Sequence, residues 1–177
     1  MEFISGSVTQ PKGFTANGIY CGLRKNKTKK DLAMIYSEVP CNAAGIYTLN
    51  LVKGAPIHVT KKHLADGKAQ AVICNSGNAN TCNADGIPKA ELMCEKAAQA
   101  LGLQAEDIIV ASTGVIGQPL NVEAIVDGIP ELVKGLSSDG DHAAAEAIMT
   151  TDTMEKEVCV KFQLGGKDVT IGAIAKG

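Results

Sequence analysis

Tryptophan is absent from this chain, and only three Phe and three Tyr occur among its 177 residues. Because 45% of residues are hydrophobic all the same, a core has to be assembled mainly from Ala, Val, Ile and Leu, which pack tightly but offer few bulky anchors. Charge of neither sign is in excess. With 17 basic and 19 acidic residues and a net charge of −2, there is no field to draw in a polyanion, which argues against nucleic acid as a partner. The one basic cluster, Arg24 to Lys30, has no interleaved aromatic residue for base stacking and reads as a solvated hairpin loop rather than a phosphate-binding arm. Long apolar runs are missing too, so no membrane span is expected, and Met1 to Gly6 has neither a charged n-region nor an apolar h-region. The six cysteines, at 21, 41, 74, 82, 94 and 159, form no C-x-x-C pair, and no histidine stands at metal-ligand spacing. Neither a disulfide framework, a metal site nor a cofactor is therefore expected. Cys74 and Cys159 fall in strand-like runs and Cys94 in a helical pattern, as reduced cysteines do when they act as small hydrophobes, so the expected location is the cytoplasm. Gly166-Lys167 lacks the upstream glycine spacing of a phosphate loop, which removes support for a nucleotide hydrolase.

What remains is a chain long enough for one sizeable core, burying about 70% of its unfolded surface, with no repeat or linker, and so a single domain over 1–177. Gly6 to Gly22 reads as an extended entry segment. Leu32 to Ser37 reads as a strand closed by a turn at Val39 to Asn42, Ala44 to Leu49 as another strand, and Ala55 to Thr60 as an edge strand, since Pro56 cannot donate to a ladder. His58 and His63 have no acidic neighbour and read as ordinary polar residues. Helices are predicted at Pro88 to Leu101, with Gly102 as the stop, at Asn121 to Leu136, kinked or divided by Pro130, and at Asp141 to about Met149. A hairpin across Gly165-Gly166 joins strands at 157–162 and 168–175. Buried strands interleaved with amphipathic helices make the fold class a layered α/β (α+β) sheet. The apolar run Ile171 to Ala175 implies a core continued elsewhere, as in a processed subunit or a truncated chain.

Two apolar runs stop abruptly at small polar residues. Ala69 to Cys74 leads into Asn75-Ser76-Gly77-Asn78-Ala79-Asn80-Thr81, and Ile108 to Val110 leads into Ala111-Ser112-Thr113-Gly114. Each is predicted as a buried strand delivering an exposed turn. At the second, backbone N–H groups without ladder partners, a glycine without a Cβ and the Thr113 hydroxyl are neutral donors suited to a developing oxyanion. The competing reading is a turn whose hydroxyls satisfy their own backbone. For the asparagine-rich run, side chains closing Asx-turns are favoured over direct substrate contact. A further cluster, Thr150-Thr151-Asp152-Thr153, follows the third helix and serves neither capping preference nor helix dipole there.

Taken together, N-S-G-N-A-N at 75–80, A-S-T-G-V-I-G at 111–117, A-I-M-T-T-D-T at 147–153 and A-K-G at 175–177 resemble the α chain of the ornithine acetyltransferase family, in order and along nearly the whole chain. The resemblance implies a self-cleaving precursor whose β chain begins with the threonine nucleophile, so that no nucleophile lies in this chain. It implies a layered αββα-type sandwich completed by that β chain, in αβ pairs expected as α2β2. It implies acetyl transfer from N-acetylornithine to glutamate in arginine biosynthesis, through an acetyl-threonine intermediate. It further assigns Thr113 and Gly114 to an oxyanion hole and Thr153 and Lys176 to substrate binding. A related N-terminal-threonine acyltransferase or aminopeptidase with another substrate, and a non-catalytic small-ligand-binding domain, are the alternatives.

Overall fold

A computed structural model describes all 177 residues. Its centre is a four-stranded sheet in the order β2-β3-β4-β5, formed by β2 (Phe14–Ile19), β3 (Leu32–Asn42), β4 (Lys68–Asn78) and β5 (Ile108–Val115). The first three strands are antiparallel to one another, whereas β5 runs parallel to β4. That parallel pair is connected through helix α2 (Gly86–Leu101), a βαβ crossover that lays the helix on one sheet face. Helix α3 (Val122–Lys134) joins it there. Met93, Cys94, Ala97, Ile125, Ile129 and Leu132 from the two helices meet Leu32, Met34, Ile73, Ile108 and Val110 from the strands in the larger core.

The opposite face is built differently. Helix α4 (Asp141–Ile148) lies on β2 and β3 through Ala16, Ala33, Ala144, Ala147 and Ile148. Small side chains let it approach: a Cβ added at Gly18 would fall 1.9 Å from the Ala143 carbonyl oxygen. A second sheet of three antiparallel strands, in the order β1-β6-β7, stands beside it, made of β1 (Glu2–Ile4), β6 (Lys156–Leu164) and β7 (Lys167–Ala175). The β6–β7 turn at Gly165-Gly166 has φ of +56° and +76°, the pair of left-handed positions that a two-residue hairpin of this twist needs. Helices, sheet, and then α4 with a second sheet make a layered sandwich. No helix is long and apolar enough to cross a membrane.

Several expectations are overturned. Ala55 to Thr60 is not an edge strand but the start of helix α1 (Ala55–His63), in which Pro56 occupies the first turn, where its missing N–H costs nothing. The predicted strand Ala44 to Leu49 is irregular, with Ile46 and Leu49 fully exposed. The turn predicted at Val39 to Asn42 is a continuation of β3: its register against β4 shifts between Tyr36 and Cys41, so Pro40 stands where no ladder donor is required. Within the extended entry segment, Phe14–Ile19 is a full strand. Pro130 does not divide α3, whose buried stripe of Val122, Ile125, Ile129 and Leu132 outweighs one missing backbone bond, and Asn121 caps its N-terminus by accepting from the Ala124 N–H at 3.3 Å. His63, read as an ordinary polar residue, is buried, its Nδ1 lying 2.8 Å from the Ile108 carbonyl oxygen.

That contact belongs to an arrangement that fixes β5. As the edge strand, β5 presents unpaired backbone groups on its outer side, and α1 covers them. The Thr60 hydroxyl donates to the Val110 carbonyl at 2.8 Å and accepts from the Val110 N–H at 3.1 Å, replacing a ladder partner in both directions.

Candidate active site

The polar ends of β4 and β5 remain in the sheet. Both strands run farther than predicted, to Asn78 and Val115, and pair Asn75 with Ser112, Ser76 with Thr113 and Gly77 with Gly114 before the register breaks. At the break the two glycines meet back to back: a Cβ on Gly114, whose φ is +133°, would lie 2.3 Å from the carbonyl carbon of Gly77. Gly114 is exposed and Thr113 half-buried.

The asparagines close on their own surroundings. Asn75 donates to the Asn78 carbonyl at 2.9 Å and accepts from the Ser112 hydroxyl at 2.6 Å. Asn78 donates to the Gln118 and Pro119 carbonyls and accepts from the Asn80 N–H, and Asn80 donates to the Gly86 carbonyl. Each bond immobilises a strand end, and none of these amide groups is directed at the cleft described next.

An open cleft of about 490 Å³ is lined by Gly77, Gly114, Val115, Thr150, Thr151 and Arg24. A neighbouring one of about 550 Å³ shares Arg24, Thr150 and Thr151 and adds Asp152, Thr153 and Glu155. Gly114 and Thr153, far apart in sequence, therefore border adjacent clefts that share Arg24, Thr150 and Thr151, whereas Thr113 and Lys176 line neither. Lys176 is exposed at the end of β7 and reaches the group through its neighbour, since the Gly177 N–H donates to Asp152 Oδ1 at 3.2 Å. Asp152 also accepts from Lys156 Nζ at 2.6 Å and from the Thr150 N–H at 3.1 Å. These donors, Lys156 foremost, hold its carboxyl well below the usual carboxylate range. One ionised side chain thus ties the Thr150–Thr153 segment to the residues around Lys176, which accounts for the aspartate among the threonines.

Arg24 was not foreseen. Expected in a solvated loop, it is instead drawn inward: its N–H donates to the buried Asp31 carboxylate at 2.9 Å, its carbonyl accepts from the Tyr20 hydroxyl at 3.0 Å, and its guanidinium donates to the Ser76 hydroxyl at 2.7 Å and to the Met149 carbonyl. The signal available in the sequence was Asp31 at the far end of the basic run, a carboxylate inside an apolar strand start. Among the thiols, Cys94 is pushed up to about 12 by burial, with Glu91, Glu95 and Glu106 adding to the effect, and all six cysteines are free. No three His, Cys, Asp or Glu side chains are grouped to hold a metal ion.

Layers, strand ends and cleft define an α+β sandwich protein with a polar depression where the parallel strands of its central sheet end. The chain belongs to the ArgJ family, whose family model matches residues 15–177. It is 47% identical over 178 residues to the arginine biosynthesis bifunctional protein ArgJ of Caldanaerobacter subterraneus subsp. tengcongensis and 49% identical over 179 residues to that of Symbiobacterium thermophilum, in both cases over 100% of this chain and 44% of the relative. The chain therefore spans less than half the length of these curated relatives. Among solved structures, the arginine biosynthesis bifunctional protein argJ of Bacillus halodurans superposes with a TM-score of 0.92 at 41% identity, covering 99% of this chain and 93% of that one. Ornithine acetyltransferase from Mycobacterium tuberculosis, complexed with ornithine, superposes with a TM-score of 0.93 at 35% identity, covering 99% and 94%.

Proposed function

We propose that this chain is the α part of a glutamate N-acetyltransferase that moves an acetyl group from N-acetylornithine to glutamate in arginine biosynthesis, in the cytoplasm. The observation that carries the reading is the pair of adjacent clefts: in a chain of the ArgJ family, exposed Gly114 borders one, Thr153 the other, and Thr150 and Thr151 line both. The ornithine held by the M. tuberculosis neighbour supports the substrate class. Lengths support processing, because the curated relatives are more than twice as long, whereas the matched chains in the solved structures are close to this size.

In this reading a threonine opening the β chain attacks the acetyl carbonyl of N-acetylornithine, with its own α-amine as base. A tetrahedral oxyanion forms and collapses to acetyl-threonine, and ornithine leaves with the proton. The glutamate amine then attacks the ester, passing through a second oxyanion and freeing the threonine. Thr113 and the N–H of Gly114 stabilise both oxyanions; Thr153 and Lys176 hold the amino-acid portion, Lys176 as a point charge for its α-carboxylate. The αβ pairs assemble as α2β2.

The test is to express the full-length gene and weigh the purified product before and after incubation with N-acetylornithine. Two polypeptides, the second starting with threonine and gaining one acetyl group, are expected. A single uncut chain, or a cut one that never acquires the adduct, refutes the reading. In correctly matured enzyme, Thr113→Ala should lower turnover about 100- to 1,000-fold.

A further inference from the structure

The geometry points to Arg24 as the anchor of a carboxylate-binding subsite, completed by Thr150 and Thr151, in the floor of the cleft beside Gly114. Four observations lead there. Arg24 lines both clefts, and its stem passes so close to Gly77 that a Cβ there would lie 3.3 Å from Arg24 Cγ. The segment is held from several sides, by Asp31 on its N–H, Tyr20 on its carbonyl, and Ser76 and Met149 on one guanidinium nitrogen. Its Nε is buried with no hydrogen-bond partner. No carboxylate pairs with the guanidinium: of the three that line the cleft with it, Glu146 is taken by Lys30 at 2.5 Å and Asp152 by Lys156 at 2.6 Å, and Glu155 forms no ion pair with it.

A permanently charged fork, part of it out of water and without a counter-ion, is an arrangement that an anion completes. Around it are Thr150, half-buried, and Thr151, exposed, whose hydroxyls are donors, and the glycine pair, which leaves room for a ligand. A planar carboxylate fits this donor set. The inference rests on the proposed acyl transfer for the identity of the ligand, the α-carboxylate of the amino acid.

Binding and turnover are to be measured separately on the full-length, processed enzyme. L-Ornithine and L-ornithinamide, which differ in charge at the α-carboxyl position, are titrated calorimetrically into wild type, Arg24→Gln, Arg24→Lys and Thr151→Val. Arg24→Gln is expected to weaken L-ornithine about 10- to 100-fold while changing L-ornithinamide less than about threefold, and Arg24→Lys to retain most of the preference. Thr151→Val, at an exposed position, should weaken L-ornithine about threefold to tenfold, and it decides the question if Arg24→Gln does not accumulate as folded protein. Equal loss for both ligands in Arg24→Gln, or unchanged affinity for L-ornithine in Thr151→Val, overturns the subsite. A protein with the expected binding pattern but no acetyl transfer retains the subsite and refutes the transferase.

Discussion

Replacing Thr60 by valine tests whether α1 fixes the strand that carries Thr113 and Gly114. The side chains match in shape, so the change removes one hydroxyl and little else. That hydroxyl serves both backbone groups of Val110, which is 2% exposed, while Thr60 itself is 6% exposed, so water cannot replace it without disturbing the layer between α1 and β5. Each of the two buried groups left unmet costs about 1–3 kcal/mol, and the added methyl regains about 0.8 kcal/mol, for a net loss of about 1–5 kcal/mol. Because the loss falls on one strand edge, amide hydrogen exchange of the peptide covering 108–115 is the appropriate assay. The Val110 amide should exchange about 5- to 4,000-fold faster in Thr60→Val, and within about threefold of wild type in Thr60→Ser, which keeps the hydroxyl. Protection unchanged in Thr60→Val would show that the edge of β5 is held by something other than this helix.

Gly114→Ala should destabilise by about 2–6 kcal/mol, through a strained φ and a Cβ driven into the Gly77 backbone, whereas Gly102→Ala, left-handed at φ +72° but facing open space, should cost about 1–2 kcal/mol; thermal unfolding compares the two. Because Asp152 is held below the usual carboxylate range, its contribution is complete above about pH 4 and is lost as pH falls through its folded-state pKa. Acid unfolding of Asp152→Asn should accordingly depend less on pH than that of wild type. Cys94 shifts the other way: with its thiol pushed up to about 12, stability is fully present below the ordinary value of 9.0 and declines as pH rises from there toward 12. Denaturant titrations across that range should show a shallower decline in Cys94→Ala.

The parts of the fold that could be read from sequence are those in which periodicity and propensity agree. Helices α2 and α3 carry clean apolar stripes, and the glycine pair marks the β6–β7 turn. At Ala55 to Thr60, Pro56 is compatible with an edge strand as well as with a first helical turn, and the buried set Ala55, Pro56, Val59, Thr60 and His63 has helical spacing visible only in a window extended to His63. At Ala44 to Leu49 apolar content does not entail burial, since Ile46 and Leu49 are exposed. The site was legible in part. Small polar residues after apolar runs marked where β4 and β5 end, but the strands continue through them, because serine, threonine and asparagine bond within the ladder as well as in a turn. Arg24 left almost no trace, since its position depends on Asp31, Ser76 and the Met149 carbonyl, which converge only in three dimensions.

Where Gly77 faces Gly114, neither strand presents a side chain, and the surface offered to a visiting molecule is peptide backbone. Short of proline, no coding change deletes an amide hydrogen, as one deletes a hydroxyl or a charge; almost any replacement at these two positions obstructs the opening instead. Variation among related proteins at this spot should therefore be sparse and all-or-none, while tuning for different substrates is left to the threonines and the arginine around the rim.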